Sequence, residues 1–521
     1  MRNAHPNSSQ DLGELGQRVL GDKRLILVSN RGPIEYRTGG GDDHESQACH
    51  GSGGVAVALS AAARYAPVTW VASAMTDADR QVAQRSEGNI IGGDSEEHPW
   101  RVRFVVVPCG IYERYYNLMS NPVLWFLQHS LWKRLERPSL WREIQEAWEQ
   151  GYVPVNRRFA EAVLAELQVA DTAPCAMFHD YHLYLAPLYV RAQAPEAILT
   201  HFIHIPWPPP ETWQRLPWDI TKDICRGLLA NDVVILQTAD SAHNFLATCE
   251  RFVAGAELRV DLGEASIRLS GHLTKVRHHP ISVDIADLRQ RMASPEVEAY
   301  RHKLSPLRGR YTIVRVDRVD PSKNIVAGFK AFGLLLERHP ELIGQLKFLA
   351  FLVPSRTGIP EYRRYTEEVL TAIRDINSRY HRADWRPIEL FHENSYPQAL
   401  AAMSLYDVLL VNSLADGMNL VSKEGPIVNE RDGVLILSRG AGSHTELGEH
   451  ALSVDPTDVE GTAEALASAL FMPEAERRAR AERLRQTIER NDLSVWLRSQ
   501  LEDVRAIALD RSAPSAASVA R

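Results

Sequence analysis

Val314-Arg315-Val316-Asp317-Arg318-Val319-Asp320-Pro321-Ser322-Lys323-Asn324 is the stretch that decides how this chain is read. Ahead of it the run Tyr311-Thr312-Ile313-Val314 leads in, and behind it an amphipathic run starts at Ile325 and carries Phe329, Phe332 and Leu335. The pattern is strand, basic loop, helix. A helix start leaves backbone N–H groups without partners and carries about half a positive charge, so cations placed there favour an anion. Arg318 and Lys323 make the loop a candidate diphosphate site. The opposing reading pairs Arg318 with Asp317 or Asp320 and leaves Lys323 in solvent. The loop alone does not choose between them.

Further along, strand-like runs recur near Leu346–Leu352, Ile388–Phe391, Val408–Val411, Val434–Ser438 and Leu452–Val454, with helical patterns between them. That alternation argues for a parallel sheet covered by helices on both faces. Ligands gather beyond the carboxyl ends of such strands. The loops expected there carry Pro354-Ser355-Arg356 and Asp416-Gly417-Met418-Asn419-Leu420, with Glu424 just after. The plainer roles are a helix cap for Asp416 and a solvated helix face for Glu424.

The N-terminal half shows a similar rhythm. Its first strand, Leu25–Val28, ends in Ser29-Asn30-Arg31-Gly32-Pro33. A glycine-rich loop, Gly39 to Gly41 and then Gly51-Ser52-Gly53-Gly54, opens a small-residue helix. Gly53 and Gly54 there allow a ligand close to the backbone, although a surface loop with a cap has the same composition. Strands follow near Val68–Ala72 and Val102–Val107, then an aromatic segment from Tyr112 to Trp132. Helical spacing makes most of its rings core; Tyr116 and Trp125 line a cleft if Pro122 breaks the helix. Two further strand ends are polar: Ala176–Phe178 leads into His179-Asp180-Tyr181-His182, and Leu199–Ile203 into His204-Ile205-Pro206-Trp207. Three readings stand for these histidines: a polar sugar site, loop histidines satisfying backbone, or a metal. The spacing is not that of H-E-x-x-H, so no metal site is assigned.

Five scattered cysteines and no C-x-x-C spacing argue against a disulfide framework or a zinc ribbon and fit a reducing cytoplasm. A net charge of −7 argues against nucleic acid or anionic membrane as partners. The N-terminus lacks an apolar signal core and no uncharged run is long enough for a membrane span. The expected organisation is a polar tail (1–22), a Rossmann-like acceptor domain (23–284), a Rossmann-like nucleotide-sugar domain (285–473), a helical segment packing back on the domains (474–509) and a disordered tail (510–521). Two α/β domains facing a cleft are expected, with a homo-oligomer, dimer or tetramer, as the assembly.

Taken together, the S-N-R strand end, the Y-N…L-W segment, H-D-Y-H, H-I-P, the Arg318–Lys323 loop and the Asp416–Glu424 segment resemble retaining glycosyltransferases of the trehalose-6-phosphate synthase family. The resemblance runs from Ser29 to about Trp496 and implies the GT-B fold. It implies a hexosyltransferase passing glucose from UDP- or GDP-glucose to glucose 6-phosphate, giving trehalose 6-phosphate. Arg31, Tyr116, Trp125 and Arg356 would form the acceptor site. Gly53 and Gly54 would approach the donor diphosphate, and Arg318 and Lys323 would neutralise it as it leaves. Asp180 would contact the acceptor hydroxyl and His204 the donor glucose. Asp416 with Gly417, Met418, Asn419 and Leu420 would hold the glucose hydroxyls, and Glu424 the ribose. The nucleotide-sugar is a substrate, and neither cofactor nor metal is implied.

The chain departs from the family pattern on the donor side, with Ala415 where Arg is usual and Asn324 where Gly is frequent. Two relatives are therefore carried as alternatives: the pseudo-glycosyltransferase that makes validoxylamine phosphate, and glucosylglycerol-phosphate synthase. A silent sugar-phosphate-binding regulator is the rival from another class; intact Asp180, His204, Arg318, Lys323 and Glu424 speak against it.

Overall fold

The computed structural model describes residues 9–21, 24–38, 46–50, 58–60, 65–86, 91–92, 100–168, 175–261, 264–382 and 384–512. The chain divides into two units. The first comprises Met1–Gln128, Glu136–His279 and Ser494–Arg521; the second comprises His129–Leu135 and Pro280–Leu493. Gly53 and Gly54, with most of the glycine-rich loop, lie outside the described residues.

The strands of the first unit are β1 (Leu25–Val28), β2 (Ile34–Thr38), β3 (Ser46–His50), β4 (Val68–Ser73), β5 (Trp100–Val105), β6 (Cys175–His179), β7 (Ile198–Phe202), β8 (Val233–Leu236), β9 (Glu257–Asp261), β10 (Glu264–Leu269) and β11 (His272–His278). Nine of them form one sheet in the order β5-β4-β1-β6-β7-β8-β11-β10-β9, and β2 pairs with β3 in a separate antiparallel ribbon. The sheet is parallel from β5 through β11, with Leu27 beside Trp70 on one side and Met177 on the other. Every residue of β1, β6, β7 and β8 is buried. These strands are near-continuous apolar runs because both faces of a parallel sheet are covered. The order reverses beside β1, so the crevice between the ends of β1 and β6 receives Ser29–Arg31 from one strand and Asp180–His182 from the other.

The second unit repeats the design. Its strands β12 (Tyr311–Arg318), β13 (Leu346–Val353), β14 (Ile388–Phe391), β15 (Val408–Val411), β16 (Val434–Ser438) and β17 (Leu452–Val454) form an all-parallel sheet in the order β14-β13-β12-β15-β16-β17. Neighbouring residues of β12 enter different cores. Ile313 packs with Phe329, Phe332 and Phe348, and Val314 with Leu349, Leu409 and Leu437. Here the order reverses between β12 and β15, which end at Arg318 and Val411. The α/β reading with two such sheets therefore holds, and the strands expected from Leu346 onward fall where they were expected.

Two expectations need correction. Residues 9–20 are not a loose polar tail: Ser9–Leu20 is a helix with Leu12, Leu15 and Leu20 buried. Its Gly16 lies against the chain, since a Cβ there would fall 2.5 Å from the carbonyl oxygen of Tyr65. Pro122 does not break the aromatic helix. The run 109–128 is continuous, and its middle turns, Glu113–Leu124, are π-helical. The wider hydrogen-bond spacing there takes in a proline that a regular α-helix would exclude. The charged stretch after Glu474 is two helices, Glu474–Arg490 in the second unit and Leu493–Ser512, which belongs to the first unit from Ser494.

Candidate active site

At the end of β1 the chain turns on buried polar side chains. Ser29 Oγ accepts from Trp70 Nε1 at 2.7 Å and donates to the Arg31 carbonyl at 2.7 Å. Asn30 Oδ1 accepts from Ser73 Oγ at 3.0 Å and from the Tyr115 hydroxyl at 3.1 Å. These bonds fix the turn that delivers Arg31 to an exposed position beside a small pocket lined by Gly32, Glu35, Ser73, Met75 and Asp79. Arg31 lies close enough to Tyr112 to favour that phenol's ionisation, although burial dominates and holds the group well above its ordinary value. Tyr116 stacks between Tyr112 and His182, at 5.4 and 5.9 Å between ring centres. Trp125 meets Tyr181 at 5.5 Å. His182 and Tyr181, at 4.0 Å between ring centres, link Tyr116 to Trp125, a connection that their sequence spacing hid.

Asp180, one residue past β6, has φ 72° and ψ 174°. That region is essentially reserved for glycine and costs on the order of 1–3 kcal/mol elsewhere. Hydrogen bonds hold it. The Asp180 N–H donates to the Phe202 carbonyl at 2.8 Å, Asp180 Oδ1 accepts the His204 N–H at 3.2 Å, and the Asp180 carbonyl accepts from His201 Nε2 at 3.1 Å. Such strain is the kind stored at functional sites. His204 in turn shares a 3.2 Å hydrogen bond between its Nε2 and His179 Nδ1. Burial lowers His201 and His204 to about 3, so both are neutral. The histidines thus serve one another and the backbone. Among the described residues no group of three or more His, Cys, Asp and Glu side chains is arranged to hold a metal.

In the second unit the loop after β12 is laced by ion pairs. Asp317 pairs with Arg315 at 2.8 Å, both buried. Asp320 accepts from Arg356 Nη1 at 3.0 Å, Tyr362 Oη at 3.2 Å and the Ser322 N–H at 2.9 Å. Burial opposes ionisation of Asp320, but Arg356 and Arg318 outweigh it and bring the carboxyl down to about 2. Arg318 is exposed at the strand end, and Lys323 Nζ donates to Asp416 Oδ2. The first N–H of the helix is already taken, contrary to expectation: Ile325 N–H donates to the Tyr365 hydroxyl at 2.7 Å. The positive charge of this loop is therefore carried by side chains rather than by the first N–H of the helix. Arg315 was overlooked in the sequence. It is wholly buried and binds Asn412 Oδ1 at 2.7 Å as well as the Lys323 carbonyl, tying the loop to the end of β15. A charge alternating with valines inside a strand was its signal.

Asp416 also accepts from Asn419 Nδ2 at 3.0 Å. Burial works to raise its carboxyl, and Lys323 and Asn419 prevail to hold it below the ordinary range. Asn419, at φ 66°, precedes the helix Val421–Val428, and its Oδ1 accepts the Ser422 N–H at 3.3 Å. Gly417, Met418 and Leu420 complete this turn, with Met418 buried. Glu424 accepts from the Tyr396 hydroxyl at 2.9 Å, and burial raises its carboxyl. Arg356, placed with the acceptor residues on sequence, belongs to the second unit, whereas Arg31, Tyr116 and Trp125 belong to the first.

Two doubly wound sheets in one chain, one switch point carrying a strained acid and imidazoles and the other paired cations, define the class: a glycosyltransferase of GT-B architecture. The description "Glycosyltransferase family 20" matches residues 23–506. The chain belongs to glycosyltransferase family 20. It is similar to the bifunctional trehalose-6-phosphate synthase/phosphatase of Thermoproteus tenax, 33% identical over 91% of this chain and 62% of that protein, so it spans less than two thirds of that relative's length. It is similar to the validamine 7-phosphate valienyltransferase of Streptomyces hygroscopicus subsp. jinggangensis, 29% identical over 94% of this chain and 96% of that one. A crystal structure of an alpha,alpha-trehalose-phosphate synthase (UDP-forming) from Burkholderia xenovorans in complex with glucose-6-phosphate matches with a TM-score of 0.76 at 27% identity, over 92% of this chain and 100% of that one.

Proposed function

We propose that this chain transfers glucose, with retention at the anomeric carbon, from UDP-glucose to glucose 6-phosphate, releasing UDP and trehalose 6-phosphate. The observation that carries the reading is the Lys323–Asp416 pair beside exposed Arg318 at the switch point of the second sheet. An ammonium has three donors. One is given to Asp416, which aims the other two. Cleaving the bond between glucose and the diphosphate builds negative charge on the departing oxygen, and fixed cations directed at that charge lower the barrier. Asp416 and the Gly417–Leu420 turn hold the glucose hydroxyls, and Glu424 accepts from the ribose. In the first unit Arg31, Tyr116 and Trp125 take the acceptor, Asp180 faces its hydroxyl and His204 the donor glucose. Arg356 serves the acceptor phosphate while remaining anchored on Asp320. The departing diphosphate oxygen takes the proton of the incoming hydroxyl, so no side chain acts as base and no cofactor enters the reaction. The free thiols of Cys109, Cys175, Cys225 and Cys249 suit a cytoplasmic setting.

The test is incubation with glucose 6-phosphate and UDP-, GDP- or ADP-glucose in turn, without added metal, following nucleoside diphosphate release and the disaccharide phosphate. Product with UDP-glucose is expected. Turnover only with an aminocyclitol phosphate acceptor would replace this reading with that of the valienyltransferase type.

A further inference from the structure

His179 ends β6 fully buried, yet it has no place in the chemistry above. Its Nδ1 lies 3.2 Å from His204 Nε2. Its other nitrogen, Nε2, is buried without a hydrogen-bond partner, and the residue lines a small, mostly apolar cavity with Leu25, Leu27, Met177, Leu497 and Leu501. Burial lowers both imidazoles far enough that neither is charged near neutral pH. Two neutral imidazoles joined by one hydrogen bond share it in one of two ways. If His204 donated, the proton of His179 would sit on Nε2, a buried N–H with no acceptor within hydrogen-bond distance. Orphaned buried N–H groups are the rarest kind of unmet polar group. If His179 donates, its Nε2 is a bare nitrogen. The neighbouring His201 adopts that second solution. Its Nε2 must carry a proton, because a carbonyl accepts from it, and its unpartnered buried Nδ1 is therefore bare.

We propose that His179 is a positioning residue that donates through Nδ1 to His204 Nε2 and thereby fixes His204 as the Nδ1–H tautomer. His204 then offers the donor sugar a neutral N–H and is excluded from acting as a base. Gln500, whose Oε1 is also unpartnered, lines the same cavity and would have to move to accept from the opposite tautomer. This inference rests on the assignment of His204 to the donor glucose.

The test has a readout independent of turnover. In the full-length enzyme labelled with nitrogen-15 histidine, two-bond correlations assign each ring tautomer, and the His204 signals are identified by their loss in His204→Gln. A protonated Nδ1 on His204 is expected; a protonated Nε2 overturns the proposal. His179→Asn keeps an N–H near the Nδ1 position and is expected to retain kcat within about threefold, whereas His179→Phe should lower kcat by about ten- to a hundredfold, as for other groups that orient a functional imidazole. The KM for glucose 6-phosphate should not move in either. Equal losses in both variants would reduce His179 to a packing residue. Gln500→Leu should leave the tautomer and kcat unchanged, and a shift in either would place the proton on His179 Nε2. If the tautomer is found as expected while His204→Gln leaves UDP-glucose binding unaltered, the assignment of His204 to the donor fails and the tautomer result stands.

Discussion

Lys323 Nζ donates to Asp416 Oδ2 across 93 residues of sequence, joining the loop after β12 to the turn after β15. The pair is only slightly exposed, at 11% and 14%. Removing one member of such a pair leaves a buried charge uncompensated. Lys323→Ala should therefore lower turnover by more than about a hundredfold. It should also lower unfolding free energy by about 1–3 kcal/mol. Adding Asp416→Asn should return most of the stability and none of the turnover. Denaturant unfolding beside steady-state kinetics separates the two, and restored turnover in the double variant would remove the cation from the leaving group.

Asp320 gives a pH signature. Its carboxyl is depressed to about 2 in the folded protein, below its ordinary unfolded value. A depressed acid contributes stability that is complete above the unfolded value and fades as pH falls through the folded one. Asp320→Asn should thus cost roughly 2 kcal/mol near neutral pH, with the difference from the parent shrinking between about pH 4 and pH 2. Unfolding measured at both ends of that window checks it; a difference that grows toward acid would reverse the sign of the Arg356–Asp320 interaction.

Tyr396 supports Glu424 by one hydrogen bond to a buried carboxylate. Burial already raises that carboxyl, and deleting the donor in Tyr396→Phe should raise it further. A protonated acid accepts ribose hydroxyls poorly. The variant should lose about tenfold in UDP-glucose affinity at neutral pH, and the loss should widen as the solution is acidified. The KM for glucose 6-phosphate should stay put. Calorimetric titration with UDP-glucose over a pH series decides.

Asn324 stands at φ 57°, ψ 38°, the left-handed region, and its Nδ2 donates to the carbonyls of Asn412 at 3.1 Å and Pro456 at 2.7 Å. The glycine frequent here in the family meets the same backbone requirement without those bonds. Asn324→Gly should cost about 1–2 kcal/mol from the lost hydrogen bonds. Asn324→Ala should cost about 1 kcal/mol more, because a Cβ disfavours this conformation. Thermal or denaturant unfolding would contradict this account if alanine proved the milder change.

The strands were legible because a parallel sheet covered on both faces leaves unbroken apolar runs, such as Leu346–Leu352 and Val408–Val411. The polar clusters at their ends were legible too, since Asp180 and Lys323 interrupt apolar patterns abruptly. What escaped notice depends on partners distant in sequence. Tyr365, forty residues from Ile325, takes the first N–H of the helix start that looked open. Arg315 resembles a surface charge until Asn412 and Asp317 surround it. Pro122 signals a helix end unless the local hydrogen bonding widens to the π spacing. The helix Ser9–Leu20 was concealed by its polar composition, which its buried leucines do not share.

The return of the helix Leu493–Ser512 to the first unit bears on the order of synthesis. Trp496 packs against Phe202 at 5.2 Å between ring centres, and Arg511 Nη2 pairs with Asp232 at 2.6 Å. Phe202 at the end of β7 and Asp232 just ahead of β8 are both translated long before them. The ribosome must therefore complete residues 280–493 before the β7 end that leads to His204 receives its last neighbours. The first unit to be made is the last to be finished.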